Sequence, residues 1–294
     1  MIRRHILRGL IGATAGAGVG AALSGCSPLA LLNTVGPRDA GVRRVAQDLP
    51  YGDHPRQRFD VYAPDAVRDG AVYPTIVFFY GGGWESGSKA VYGWAAQALA
   101  AQGFVVAMPD YRLVPEVHFP AFIQDAAAAT TAVADQVSLY GGEAARLGVM
   151  GHSAGAYLAL MITLDRRYMS DARKPVLIKA CVGLSGPYDF LPFAVPAAVN
   201  AFGRAPDPLQ TQPVAFARAD AAPVWLAHGT ADETVEPIDT TILDDRLRAA
   251  GGLSQTRLYE GLNHADTLAV FSPVFRGKAT VLEDAARFMH ETLG

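Results

Sequence analysis

The sequence has few cysteines, no excess of positive charge and no recognisable metal-binding motif. Only two cysteines occur in 294 residues, so stability has to come mainly from a buried core. The net charge of −3 provides no basic face, which excludes nucleic acid as an expected partner. HExxH and CxxC motifs are absent, and the seven histidines do not fall at metal-ligand spacings. We therefore expect no metal ion and no other cofactor.

The first 25 residues have the pattern of an export signal. MIRRHILRGL carries three arginines, and the following IGATAGAGVGAALSG is apolar, uncharged and too short and glycine-rich to indicate a membrane span. The end of this run and the following cysteine form LSGC, which ends at Cys26 and resembles the bacterial lipobox, whose cysteine is lipidated. We expect a signal peptide at 1–25, exported by the general or the twin-arginine route. A lipid on Cys26 would then anchor the protein in the bacterial cell envelope, on the periplasmic side of a membrane.

Beyond this signal, the chain is predicted to contain a tether at 26–41 and one catalytic domain at 42–294. The domain alternates strand-like and helix-like segments, which predicts an α/β fold with a mostly parallel sheet of about eight strands and helices on both faces. The predicted strands are VRRVAQDL, QRFDVYAP, TIVFFY, FVVAMPDY, RLGVMG, KACVGLSG, PVWLAHG and QTRLYEG. The predicted helices cover about 89–101, 122–139, 154–164, 240–250 and 280–293. Residues 187–222 are rich in proline and lack a strand, so they are expected to form a small cap.

The pentapeptide GHSAG at 151–155 is the first candidate for chemistry. A Gly-x-Ser-x-Gly sequence between a strand and a helix is typical of a sharp turn that presents a serine hydroxyl as a nucleophile. The glycines leave room where strand and helix cross, so Ser153 is the predicted nucleophile. Cys181, in an apolar run, is instead expected to be a small buried hydrophobic residue.

Four segments in a fixed order carry a family resemblance. YGGGW follows the strand TIVFFY, DYRL follows FVVAMP, GHSAG follows RLGVM, and Asp232 and His264 come later. In these segments the chain resembles the α/β-hydrolases over about residues 42–293. The resemblance is to the esterase branch that contains hormone-sensitive-lipase-like carboxylesterases, feruloyl esterases and kynurenine formamidases. It implies an α/β-hydrolase fold and a serine hydrolase activity.

The resemblance also assigns the partners of Ser153. His264 would be the base, because the chain order Ser, Asp, His is the order that this fold uses. Asp232 would orient His264, since an aspartate three residues before a valine matches the family segment. The less suitable candidates for base and acid are His118, His152, His228, Glu233 and Asp266.

By the same resemblance, the backbone N–H groups of Gly82, Gly83 and Ala154 would form the oxyanion hole. The family usually has histidine where this chain has Tyr80, which changes the hydrogen bonds expected to brace the glycine loop. The further bracing residues are expected to be Asp110, Tyr111, Arg112 and Asp125.

The predicted function is hydrolysis of carboxylic esters with a short-chain or aryl group, through an acyl-enzyme on Ser153. The alternatives are an aryl formamidase or other amide hydrolase, an acyltransferase on the same scaffold, and a surface lipoprotein without catalytic activity. The predicted partners are a small-molecule ester and the membrane. His118 is expected near the pocket, and the following cap residues could form the pocket or pack the core: Phe190, Leu191, Phe193 and Phe202.

Overall fold

The structure, a computed structural model, describes residues 36–170 and 177–294. The predicted signal peptide, Cys26 and the tether up to residue 35 lie outside the described residues. The described end of the tether contacts the body, since Arg276 donates two hydrogen bonds of 2.7 and 2.9 Å to the carboxylate of Asp39. Within the described part of the chain, no helix is both long and apolar enough to cross a membrane.

An eight-stranded sheet forms the centre of the molecule, in the order β1-β2-β4-β3-β5-β6-β7-β8. Strands β1 and β2 are antiparallel to their neighbours, and all other pairs are parallel. The eight predicted strands and the predicted mostly parallel sheet are therefore confirmed. The strands are β1 Val42–Pro50, β2 Arg58–Pro64, β3 Tyr73–Phe79, β4 Val105–Pro109, β5 Gly142–His152, β6 Ala180–Leu184, β7 Val224–Gly229 and β8 Ser254–Tyr259.

Helices cover both faces of this sheet, and the five predicted ones are present within a few residues of the expected bounds. Three short helices were not predicted, because four to seven residues are too few to show helical periodicity. The α-helices are α1 Lys89–Ala101, α2 Ala121–Gln136, α3 Ala154–Leu164, α4 Arg166–Ser170, α5 Pro196–Phe202, α6 Ile238–Ala249, α7 Asp266–Ala269 and α8 Val281–Leu293. The 3₁₀ helices are Asp65–Asp69, Val137–Tyr140, Pro208–Thr211, Pro213–Phe216 and Arg276–Lys278.

The central strands are buried on both faces, which explains their nearly continuous apolar sequences. Every residue of β4, β6 and β7 is buried, whereas the edge strand β1 has none that is fully buried. Because β3 to β8 run parallel, the loops that follow β3, β5, β7 and β8 meet at one edge of the sheet. The predicted catalytic residues all lie in or beside these loops.

The segment 187–222, which we call the cap segment, crosses this edge of the sheet. It contains helix α5 and two 3₁₀ helices, and none of its residues belongs to a strand. Phe202 of α5 is completely buried, with its ring centroid 4.7 Å from that of Trp84 in an edge-to-face contact. Aromatic packing therefore joins the cap segment to the loop after β3.

Candidate active site

Ser153 stands on a strained turn between β5 and α3. Its φ of 56° and ψ of −125° lie in a region that non-glycine residues rarely adopt. A Cβ on Gly151 would lie 2.1 Å from the Gly155 carbonyl oxygen, and a Cβ on Gly155 would lie 2.0 Å from the Phe79 carbonyl oxygen. Only glycine fits these two positions, so the motif allows the strand and the helix to cross closely beneath the serine.

A chain of two hydrogen bonds links Ser153 to His264 and Asp232. The Ser153 Oγ lies 2.8 Å from His264 Nε2, and His264 Nδ1 lies 2.8 Å from Asp232 Oδ2. The other oxygen, Oδ1, accepts backbone N–H groups from Thr234 and Val235 at 2.9 and 3.0 Å. The structure thus brings together the three residues predicted from the sequence, in an order suited to proton transfer from serine to histidine.

Asp232 is buried, but its neighbours stabilise the ionised carboxylate. Burial alone would raise its pKa, but hydrogen bonds from His228 and His264 outweigh this effect and hold the pKa of the carboxyl well below its usual range. Asp232 is therefore ionised at neutral pH, and can stabilise positive charge on His264. The two rival acids do not reach the ring: Glu233 is exposed, and Asp266 pairs with Lys278.

Two further histidines lie beside this chain of hydrogen bonds. His152 Nε2 is 2.9 Å from the backbone carbonyl oxygen of His264, and the two rings are 5.0 Å apart. Burial lowers the pKa of His152 to about 3, so it stays neutral at physiological pH. His228 Nε2 is 3.0 Å from Asp232 Oδ2. Neither contact was predicted; the only sequence signal was a histidine inside the otherwise apolar strand PVWLAHG, because a buried imidazole needs a partner.

The three predicted oxyanion donors border one cavity with Ser153. Gly82 has a φ of 131° and Gly83 a φ of 59°, and a Cβ on Gly82 would lie 2.2 Å from the Ser86 carbonyl oxygen. Among the described residues, none accepts a hydrogen bond from the backbone N–H of Gly82, Gly83 or Ala154. Ala154 also begins an 11-residue helix, whose N-terminus favours negative charge. These N–H groups are available to a substrate oxygen.

Tyr80 braces the glycine loop in place of the histidine that the family usually has. Its hydroxyl donates to Asp110 Oδ1 at 2.7 Å and accepts from Arg56 Nη2 at 2.8 Å. Arg56 also donates to the Gly87 carbonyl oxygen, at 2.9 Å, and Tyr111 donates to the Tyr80 carbonyl oxygen, at 2.9 Å. These bonds form a hydrogen-bond network beneath the loop. Arg112 and Asp125 extend it through a paired contact, as the sequence predicted.

The cavity beside Ser153 has a volume of about 770 Å³ and a mixed lining. Phe190, Leu191 and Val195 of the cap segment form an apolar wall with Trp84. The charged residues in the lining are all acidic: Asp189, Glu233, Glu236 and Asp239. A separate groove of about 910 Å³ runs along α2 and contains none of the predicted site residues, so we place the chemistry in the cavity that holds Ser153.

Several other predicted residues lie away from the reacting groups. His118 does not line the cavity, so the expectation that it borders the pocket is wrong; its Nδ1 is 2.8 Å from the Asn200 carbonyl oxygen. Phe193 and Phe202 do not line the cavity; they pack on each other, and Phe202 also packs on Trp84. Cys181 is buried, and burial raises the pKa of its thiol to about 12. Within residues 36–170 and 177–294, no cluster of side chains could hold a metal ion.

The chain is similar to several proteins with names that describe hydrolases. It is 28% identical over 270 residues to isoprenylcysteine alpha-carbonyl methylesterase of Arabidopsis thaliana, covering 84% of this chain and 62% of that protein. It is 30% identical over 155 residues to kynurenine formamidase of Danio rerio, covering 53% of this chain and 50% of that protein. The chain therefore spans about three fifths or less of the length of these relatives.

The fold and the family follow from two further comparisons. A truncated carbohydrate esterase from gut microbiota superposes with a TM-score of 0.75 at 21% identity, covering 88% of this chain and 99% of that one. At this identity the likeness shows the fold alone. The family model described as BD-FAE matches residues 59–247, which is more than half of the chain. This protein has the α/β-hydrolase fold and belongs to the BD-FAE family.

Proposed function

We propose that this protein is a serine hydrolase that cleaves carboxylic esters. The observation that carries the proposal is the chain of hydrogen bonds from Ser153 to His264 and Asp232, at 2.8 Å each, beside the cavity. Esterase names among the relatives in sequence support the same reaction class. Its substrates are expected to be small neutral esters with short-chain or aryl groups, because the cavity has an apolar wall and its charged lining is acidic.

The reaction begins when Ser153 Oγ attacks the ester carbonyl carbon. His264 Nε2 accepts the hydroxyl proton as the new C–O bond forms, and the carbonyl π electrons move onto oxygen. Asp232 stabilises the resulting imidazolium. The backbone N–H groups of Gly82, Gly83 and Ala154 bind the oxyanion, and losing one such donor typically costs about 10²- to 10³-fold in rate.

Collapse of the tetrahedral intermediate completes the first half of the reaction. The bond to the alcohol oxygen breaks, and His264 donates its proton to that oxygen, leaving an acyl group on Ser153. Water then enters, His264 removes one of its protons, and the acyl group leaves as a carboxylic acid. The serine regains its proton in the last step, so the enzyme returns to its initial state.

An aryl formamide is the second candidate substrate, because one relative in sequence is named a kynurenine formamidase. Formamide cleavage uses the same serine, base and oxyanion donors but releases an amine. It therefore requires His264 to protonate a nitrogen leaving group. The two candidates differ in the substrate and share the site.

A panel of substrates tests the proposal directly. Purified protein should hydrolyse p-nitrophenyl acetate or butyrate faster than N-formylkynurenine, and the Ser153→Ala variant should lose this activity. Ser138→Ala, at an exposed serine outside the cavity, should retain full activity. Preference for N-formylkynurenine would favour the formamidase, and an acylated product formed with an added alcohol would favour an acyltransferase. Folded wild-type protein with no activity on any ester or amide would contradict the proposal.

The pH profile provides a second test of the base. A histidine must be neutral to accept a proton, so kcat/KM should decrease as the pH falls and the base becomes protonated. A flat profile between pH 5 and pH 8 would contradict the role of His264.

We further propose that the protein is a lipoprotein of a bacterial cell envelope, anchored through Cys26 by the export pattern in residues 1–26. In a host that processes lipoproteins, the wild-type protein should incorporate labelled palmitate and sediment with membranes. Cys26→Ala should abolish both results, whereas Cys181→Ala should leave them unchanged. Membrane association of the Cys26→Ala variant equal to that of the wild type would contradict the proposal.

A further inference from the structure

One oxygen of the Asp232 carboxylate is shared by two histidines. Oδ2 is 2.8 Å from His264 Nδ1 and 3.0 Å from His228 Nε2. His228 lies in β7 and its side chain is completely buried, so it cannot reach a substrate. His228 also does not line the cavity. Its contact with Asp232 therefore connects it directly to the proposed triad.

The surroundings of His228 fix the position of its proton. Nε2 is 3.0 Å from Asp232 Oδ2 and 3.0 Å from the Val235 carbonyl oxygen, and both of these atoms are acceptors. Nε2 must therefore carry a proton, since an unprotonated nitrogen would face two lone-pair oxygens. On the other side of the ring, Nδ1 is 2.7 Å from Thr240 Oγ1, a hydroxyl that can donate. A neutral imidazole with its proton on Nε2 satisfies all three neighbours.

We infer that His228 is a positioning residue for Asp232, acting through its Nε2–H on the oxygen that also binds His264. This inference rests on the proposed function. With Thr234 and Val235 holding Oδ1, the His228 bond fixes the remaining rotation of the carboxylate. It also draws electron density from Oδ2, so that the carboxylate binds the His264 ring less strongly than a free carboxylate would.

The inference extends the proposed triad into a longer chain of hydrogen bonds. From the cavity inwards, the chain runs Ser153, His264, Asp232 and His228, with successive distances of 2.8, 2.8 and 3.0 Å. Thr240 Oγ1 lies 2.7 Å from the far nitrogen of His228 and makes no hydrogen bond with Asp232. The other titratable groups nearby are His152, which contacts the His264 backbone, and Asp239, which neighbours Thr240 on α6. Neither donates a hydrogen bond to Asp232, so changes at His228 can be separated from changes at these residues.

Two substitutions at His228 separate the donor from the bulk of the side chain. Glutamine can place an N–H group near the position of Nε2, whereas the shorter asparagine reaches only the position of Nδ1. Asparagine therefore keeps a group beside Thr240 and removes the donor from Asp232. His228→Asn should lower kcat by about 10- to 100-fold, the range expected for one hydrogen bond to a charged group. His228→Gln should restore most of this loss.

The pH profile supplies a readout that a purely structural role would not change. Without the His228 donor, Asp232 Oδ2 becomes a stronger acceptor for His264 and stabilises the imidazolium. The acidic limb of kcat/KM should then move to higher pH, by roughly half a unit to one unit, in His228→Asn but not in His228→Gln. Thr240→Val is the matched control, because it removes the bond on the far nitrogen and leaves the donor on Asp232. The Thr240→Val substitution should leave the acidic limb of kcat/KM at the same pH as in the wild type.

The experiment measures kcat/KM against pH for the wild type and these three variants, together with their thermal unfolding. The low-field proton resonance of the His264–Asp232 hydrogen bond is recorded for each, because this readout does not require turnover. Movement of the limb and of the resonance in His228→Asn alone supports the inference. An unchanged limb, or an equal shift in Thr240→Val, would overturn it. Failure of the proposed function would give a different result: the wild type would have no ester hydrolysis activity that the Ser153→Ala substitution abolishes.

Discussion

The two sides of the cavity are built differently. The side formed by the loops after β3, β5, β7 and β8, which we call the catalytic floor, is held by hydrogen bonds to charged groups, such as those from Tyr80 to Asp110 and from His264 to Asp232. The cap segment packs aromatic rings on the floor, with Phe202 and Phe190 against Trp84, and adds a hydrogen bond of 2.7 Å from Asn200 Nδ2 to Glu85 Oε1. Directional bonds fix atoms in place, whereas apolar packing allows the shape of a wall to vary. We therefore expect the floor to determine the rate and the cap segment to determine substrate preference.

The largest effect is expected from the floor, at Asp232. Asp232→Asn keeps the size of the side chain but replaces the anion, so His264 loses the partner that fixes its tautomer and charge. We expect kcat to decrease by about 10³- to 10⁴-fold, measured with a p-nitrophenyl ester. Stability should decrease as well, because the amide NH2 would face donors that the carboxylate accepted. Asp266→Asn, at the rival acid that pairs with Lys278, should change kcat by less than about threefold. A larger loss in Asp266→Asn than in Asp232→Asn would contradict the assignment.

Asp239 lies where the floor and the cap segment meet, since its carboxylate accepts a hydrogen bond from the Tyr188 backbone at 3.2 Å. Burial raises the pKa of Asp239 to about 6. The folded protein then binds this proton more tightly than the unfolded chain, so the residue costs stability as the pH rises from about 4 to about 6. Asp239→Asn removes this dependence. The difference in unfolding free energy, variant minus wild type, should therefore increase by about 2 to 3 kcal/mol between pH 4 and pH 7.

Urea denaturation of both proteins at the two pH values measures this gain. A difference between variant and wild type that stays constant with pH would contradict the expected effect.

A smaller effect is expected from the hydrogen bonds that Tyr80 makes beneath the glycine loop, which we call the brace. Tyr80→Phe removes a hydroxyl that joins Arg56 and Asp110, leaving buried polar groups without a partner, so unfolding should become easier by about 1 to 3 kcal/mol. Because the loop positions the oxyanion donors, kcat should also decrease. Tyr157→Phe is the control, because Tyr157 is also buried, its hydroxyl makes no hydrogen bond among the described residues, and it does not line the cavity. Equal effects of the two substitutions on stability and kcat would count against the brace.

The smallest effect on rate is expected from the cap segment. Phe190 lines the cavity, whereas the neighbouring Phe193 does not. Phe190→Ala should enlarge the cavity and shift the preference toward longer acyl chains, while kcat on p-nitrophenyl acetate changes by less than about tenfold. The ratio of kcat/KM values for long and short acyl esters should change by about 10- to 200-fold, because one apolar contact contributes about 1 to 3 kcal/mol to discrimination. Phe193→Ala should leave the chain-length profile unchanged. A shifted chain-length profile in Phe193→Ala alone would contradict the assignment of Phe190 to the cavity wall and of Phe193 to packing.

The fold could be predicted because its signals are local. Each strand is an apolar or alternating run bounded by turn residues, and the long helices carry enough turns to show periodicity. The short helices α5 and α7 carry too few residues for such a signal, and their positions depend on packing against the rest of the molecule. Placing them required the structure.

The candidate site could be predicted only where family motifs name its residues. The contacts that support those residues join parts of the chain far apart in sequence, and no pattern indicates them. Arg56 binds the Tyr80 hydroxyl across 24 positions, and His152 contacts the His264 carbonyl across 112. The exception is His228, whose position in an apolar strand four residues before Asp232 indicates that it needs a nearby partner.

The identity of the nucleophile can be measured most directly by covalent labelling. Wild-type protein treated with a fluorophosphonate should gain one adduct, which peptide mass spectrometry should locate on Ser153. His264→Ala should react far more slowly, because the serine has lost its base. The absence of an adduct on Ser153 in protein that still hydrolyses esters, or an adduct on another residue, would contradict the account.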